Sequence, residues 1–297
     1  MRPRRSTASR RRIAGVSAGL LVAALTGCGS GPQPVTPPAA GATSPATSAT
    51  SATSTPASSW ENPAIDGTFP AGPEKVDLTI RCWGSGSPVI VMEGGSGEGG
   101  LHRWGNNRVT EALASKTMVC AYDRAGVGES GPAPEHRRHI DDVVRDLRSL
   151  LTAADVPGPY LMAGVSGGGF YAFHFAGRYP DDVAGLVLID TPPGQATMSS
   201  RDVEELAWDA PGNTEHVDYV AVEHQMAVAR LPIPAVPVTV VTGSSGQSAD
   251  DPRSQKVWLR GADPGSQVIL DTGHEVDFDD PTGLSEAVLH VLELARG

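Results

Sequence analysis

Short apolar runs recur along most of this 297-residue chain, at residues 89–92, 118–122, 160–163, 186–189, 238–241 and 268–270, with helix-like or polar stretches between them. Runs of Val, Ile, Leu and Met without polar alternation suit strands buried on both faces. Such strands, separated by helical segments, build a mostly parallel sheet with helices on both faces. Residues 76–82 alternate instead, which predicts an antiparallel edge strand. Ile140, Val143, Val144, Leu147, Leu150 and Leu151 fall at helical spacing, with Asp141, Asp142, Arg145, Asp146 and Arg148 on the opposite face, so this helix packs on the sheet and does no chemistry. Further helices are expected over 170–178 and 284–294. Residues 191–236 break the alternation with helix-like segments at 201–208 and 216–230, an insertion expected to lie as a small helical lid over the carboxyl ends of the strands.

The chain ahead of the sheet reads differently. Arg2, Arg4, Arg5 and Arg10 to Arg12 form a basic head before a short apolar core, so residues 1–27 are expected to be an export signal rather than a membrane span. Leu25-Thr26-Gly27-Cys28 resembles a bacterial lipobox, in which cleavage leaves Cys28 as a lipid-bearing N-terminus; the alternative is an ordinary secreted protein. Residues 28–59 are almost all Ser, Thr, Pro, Ala and Gly, a composition that buries too little apolar surface to offset chain entropy, and are expected to be a disordered linker. Residues 60–297 then form one domain. Losing six arginines and no acid moves the net charge from -11 to -17, which repels phosphate backbones. Nucleic acid is therefore not expected as a partner, and membrane contact is expected through the N-terminal lipid, at the outer face of the cytoplasmic membrane. Outside the cytosol disulfides persist, so Cys82 and Cys120, each in a strand-like run, are expected to pair.

Gly164-Val165-Ser166-Gly167-Gly168 follows the run 160–163 and opens a helix-like stretch. On so tight a strand-to-helix bend a serine takes a strained conformation that lifts its Oγ above the sheet, and the small flanks let strand and helix approach. With 35 glycines in the chain the pattern alone is weak, and its setting carries the argument. That setting is Val89-Ile-Val-Met-Glu-Gly-Gly-Ser-Gly97, Ala121-Tyr-Asp-Arg-Ala-Gly-Val-Gly-Glu-Ser130, the serine bend, Val183-Ala-Gly-Leu-Val-Leu-Ile-Asp190 and Gly273-His274, in this order. From about residue 74 to 297 the chain resembles the α/β-hydrolases, above all exported actinobacterial members with Glu-x-Gly after the third strand.

The resemblance implies an α/β-hydrolase fold with Ser166 as nucleophile and His274 as its base. The acid is open: Asp190 at the end of the sixth strand, or Asp250 or Asp251 after the seventh, where the family's usual slot is empty. The oxyanion donors implied are the backbone N–H groups of Gly95 and Gly167; Glu93 departs from the family's commoner His-Gly and is read as support for the loop, with direct catalysis as the alternative. No cofactor and no metal are expected, since H-E-x-x-H and Cys/His ligand spacings are missing. The expected activity is hydrolysis of a carboxylic ester, on a small molecule or a lipid, through an acyl-enzyme. An amide or peptide hydrolase of aminopeptidase type, or a non-catalytic envelope binding protein on the same fold, are the alternatives. Leu206, Trp208, Val220, Met226 and Leu231 of the insertion either line an acyl pocket or belong to the core.

Overall fold

The uninterrupted apolar runs form the middle of one eight-stranded sheet: β1 (Ile65–Ala71), β2 (Val76–Trp83), β3 (Val89–Glu93), β4 (Val119–Tyr122), β5 (Tyr160–Val165), β6 (Val183–Ile189), β7 (Val238–Gly243) and β8 (Gly265–Leu270), in the order β1-β2-β4-β3-β5-β6-β7-β8. The computed structural model describes residues 62–245 and 252–297; the leader, Cys28, the linker, Asp250 and Asp251 lie outside them. β1 and β4 each pair antiparallel with β2, and every pairing from β4 through β8 is parallel. The carboxyl ends of β3 to β8 therefore open on one edge of the sheet, and this is the expected α/β-hydrolase architecture.

Alternation within the strands divides the core in two. Val89, Val91, Tyr160 and Met162 point into a layer covered by α3 (Ile140–Ala153) and α4 (Gly168–Arg178). Ile90, Met92, Leu161 and Ala163 point into a layer covered by α1 (Gly100–Trp104), α2 (Arg108–Ala114) and α8 (Pro281–Arg296). The helical stripe read over 140–151 is the buried face of α3, whose first turn is closed by the Asp142 carboxylate accepting the His139 N–H at 2.8 Å. One residue of its polar face departs from expectation: Asp146 is buried, paired with Arg138.

The strand at 76–83 is not the edge. β1 lies outside it, and β1 carries Gly67 and Pro70 among few apolar residues, with alternate positions exposed. A proline is tolerated on an edge strand, where no ladder partner needs its N–H, but it erases the apolar run by which the other strands are found. Cys82 and Cys120 face each other across β2 and β4 and are joined by a disulfide. The insertion at 191–236 carries α5 (Ser200–Leu206) and α6 (Tyr219–Val228). It is pinned to the segment before α3, where Arg138 N–H donates to His216 O at 2.8 Å and Asp218 N–H to Arg138 O at 2.9 Å. The remaining helix, α7 (Val276–Asp279), follows the loop after β8. No helix among the described residues is long and apolar enough to cross a membrane.

Candidate active site

Ser166 occupies the turn between β5 and α4 with φ of 53°, in the left-handed region that a side chain normally avoids. Two hydrogen bonds hold it there: its N–H donates to Ile189 O at 2.8 Å, and its carbonyl accepts from Gly169 N–H at 3.0 Å. The glycines around it leave no alternative. A Cβ on Gly164 would sit 2.4 Å from Gly168 O, one on Gly168 2.4 Å from Gly94 O, and one on Gly167 2.0 Å from Ser96 Oγ.

One strand further on, Asp190 ends β6, also at positive φ (42°), with its N–H donated to Val241 O. Its buried carboxylate accepts from His274 Nδ1 at 2.7 Å through Oδ2, and from Gln255 Nε2 at 2.9 Å and Gly243 N–H at 3.4 Å through Oδ1. A carboxylate only accepts, so Nδ1 carries the proton and Nε2 is the ring's free nitrogen. The hydrogen bond to Asp190 raises the His274 pKa above its ordinary value, against the opposing effect of burial. The molecule thus brings Asp190 to His274. Among the described residues no hydrogen bond joins Ser166 Oγ to the imidazole.

The loop after β3 lies beside Ser166: a Cβ on Gly95 would be 3.9 Å from Ser166 Cβ. The two expected oxyanion donors differ in their present partners. Gly167 opens α4, and its N–H has no hydrogen-bond acceptor among the described residues. Gly95 N–H instead donates to Glu98 Oε2 at 3.3 Å. Glu98 in turn is held by Arg103, whose guanidinium also contacts Glu275 at 2.9 Å and Asp277 at 2.5 Å. Arg103 so links the loop after β3 to the residues that follow His274.

Beneath this loop lies a buried polar network. Glu93, fully buried, accepts from Tyr122 Oη at 2.8 Å and from Arg124 at 3.3 Å, and burial pushes its carboxyl up to about 7 despite both partners. Arg124 pairs bidentately with Glu215 (2.7 and 3.1 Å) and donates to the carbonyls of Gly94, Gly95 and Glu98. Burial would raise Glu215 too, but Arg124, Tyr219 and the Gly97 N–H together outweigh it and hold this carboxylate below its usual value. Glu93 thus reaches the loop after β3 through Arg124. Arg124 stood inside a quoted motif without a role of its own, whereas Glu215 is an acid in an insertion and carried no sequence signal. Gln255, Glu98 and Arg103 were equally silent. Of the insertion's apolar residues, Met226 is fully buried in the core and Leu206 packs against it, while Val220 lines a cavity of about 370 Å³ that includes neither Ser166 nor His274. No group of three or more His, Cys, Asp or Glu among the described residues is arranged to hold a metal ion.

Comparison with known proteins agrees with this fold. Residues 87–229 match a family model described as the alpha/beta hydrolase fold. A pimeloyl-(acyl-carrier protein) methyl ester esterase of Chromobacterium violaceum is 36% identical over 118 residues, 40% of this chain and 42% of that protein. A monoacylglycerol lipase of Mycolicibacterium smegmatis is 36% identical over 104 residues, 34% of this chain and 36% of that one. The matches span less than half the length of these curated relatives. A thermophilic esterase from Thermogutta terrifontis superposes with a TM-score of 0.61 at 21% identity, over 79% of this chain and 100% of that structure.

Proposed function

Taking as premise that the chain belongs to the α/β-hydrolase superfamily, we propose that it is an exported, lipid-anchored serine hydrolase that cleaves a carboxylic ester through an acyl-enzyme on Ser166. The observation that carries this reading is the 2.7 Å bond from His274 Nδ1 to the buried Asp190, one strand away from a serine held at positive φ. In this mechanism Ser166 Oγ attacks the ester carbonyl while His274 Nε2 takes its proton. Asp190 stabilises the imidazolium that forms. The tetrahedral oxyanion sits between the N–H groups of Gly167 and Gly95, displacing Glu98 from the latter. His274 returns the proton to the leaving alkoxide, and water repeats the sequence on the acyl-enzyme. Asp190 takes the role of the acid, in place of Asp250 or Asp251. The ester relatives support a carboxylic ester over an amide, and Cys28 is the proposed lipid attachment.

A fluorophosphonate probe tests this directly. It should label the wild-type protein and neither Ser166→Ala nor His274→Ala; a folded wild type that stays unlabelled overturns the proposal. Comparing p-nitrophenyl esters with aminoacyl amides then separates esterase from peptidase. A second reading, a binding protein without turnover, is favoured by one observation, that among the described residues no hydrogen bond joins Ser166 Oγ to the ring. Unliganded catalytic hydrogen bonds are often long and tighten on the substrate, so this absence weighs less than the Asp190 bond.

A further inference from the structure

We propose that Arg124 and Glu215 are positioning residues that fix the direction of the Gly95 oxyanion donor, making the insertion between β6 and β7 a built-in wall of the reaction site rather than a cover that moves off it. The proposal rests on the serine-hydrolase reading for its chemistry, and on geometry for the clamp. A peptide group is planar and trans, so its C=O and the next N–H point in opposite directions. The carbonyl of Gly94 and the N–H of Gly95 belong to one such plane. Arg124 Nη1 donates to Gly94 O at 2.9 Å, and this contact aims Gly95 N–H away from the guanidinium, on the opposite side of the plane.

That anchor is needed because both residues are glycines. Without Cβ atoms a Gly-Gly unit flips at little cost, and a flipped plane would present a carbonyl where the oxyanion must lie. Arg124 grips the loop at two further points, Gly95 O at 2.6 Å and Glu98 O at 3.1 Å. Its fork is 2% exposed, so its charge must be met inside the protein. Glu215 meets it from the insertion, in two parallel bonds, and also accepts Gly97 N–H at 2.9 Å and Tyr219 Oη at 2.7 Å. Both ends of the loop are thus tied to one buried carboxylate. The insertion cannot swing away without costing that guanidinium its bidentate partner, which leaves it Glu93 alone at 3.3 Å, and freeing Gly97 N–H. Its packing agrees: a Cβ on Gly126 would sit 2.0 Å from Thr214 O, directly before Glu215.

The test uses the full chain with Glu215→Gln, which keeps the shape and removes the charge, and Arg124→Lys, which keeps the charge and removes the fork. Hydrogen exchange of peptides covering residues 94–98, kcat and KM on a p-nitrophenyl ester, and the pH profile are read together. In both variants the loop amides should exchange about tenfold faster, and kcat should fall about 10- to 100-fold with KM within about twofold. The acid limb set by His274 should stay where it is, which a general loosening of the fold would not allow. If Arg124→Lys fails to fold, Glu215→Gln alone carries the comparison. Folded variants with unchanged loop exchange and unchanged kcat would overturn the clamp. A wild type that ignores the phosphonate while its variants still loosen the loop would instead overturn the hydrolase reading and leave the clamp supported.

Discussion

Asp190 shows how one side chain sets the working pH of another. Its hydrogen bond raises His274 above the ordinary 6.5, and a general base works only when neutral, so the acid limb of kcat/KM is expected above pH 6.5. Asp190→Asn removes the charge and turns one of the two acceptor oxygens into an NH2 donor: the limb should move down in pH and turnover should drop about 10⁴-fold, because an amide favours the wrong tautomer. Stability runs the other way. A histidine whose folded pKa is raised contributes stability fully present below its unfolded value and lost as pH rises through the folded one. The pair is thus most stabilising where the enzyme is least active. Glu98 acts on the oxyanion donor, because it holds Gly95 N–H in the resting molecule. Glu98→Ala should leave Arg103 with Glu275 and Asp277 and free the donor, raising the phosphonate labelling rate about three- to tenfold; a fall would make Glu98 a support of the loop instead. Ser166 and His274 were legible in sequence because motif order placed them. Asp190 stayed one of three candidates, since a strand-end acid and a loop acid differ only by a contact with His274 that sequence does not mark. Arg103, Glu98 and Gln255 were illegible because their roles are contacts between segments far apart in the chain.

At the scale of elements, the bend from β5 to α4 is where local sequence and tertiary packing are hardest to separate. A Cβ at Gly164 would meet the backbone of the next helix, Gly168 O at 2.4 Å and Gly169 N at 2.7 Å. Backbone cannot rotate aside as a long side chain can, so Gly164→Ala should destabilise by about 3 kcal/mol. In a domain of this size that lowers Tm by about 6 to 12 °C in a thermal melt. A Tm within a degree of wild type would mean that β5 and α4 can separate without loss. The central strands were visible in sequence as apolar runs because both their faces are buried. β1 was not, since an edge strand with a glycine and a proline reads as loop. α1 and α7 were missed for a different reason: at five and four residues they are too short for a helical period to register. The insertion was recognised by where the alternation broke. Its contribution to the site is a single buried carboxylate, which no periodicity marks.

For the whole molecule, a parallel sheet collects the ends of β3, β5, β6 and β8 at one edge, and the residues assigned to chemistry follow those ends within a few positions. The order of motifs along the chain therefore carried the architecture, and the acidic charge balance carried the expectation about partners. The disulfide belongs to the other part of the design. It joins β2 to β4, an antiparallel pair, and β3 lies between β4 and β5, whose end carries Ser166. Stability and turnover should consequently respond to it separately. Closing a loop with a sequence separation of 38 restricts the unfolded chain by about 4 kcal/mol on the loop-entropy account. Replacing both cysteines by alanine should lower the urea midpoint accordingly, while kcat and KM of the folded enzyme stay within about twofold. Loss of kcat in a variant that is still folded would mean that the β2–β4 pairing is transmitted through Tyr122, whose hydroxyl bonds Glu93 at 2.8 Å, to the loop that Arg124 grips. Measuring loop exchange in the same variant separates the two outcomes, because a purely unfolded-state effect leaves the native loop amides as protected as before.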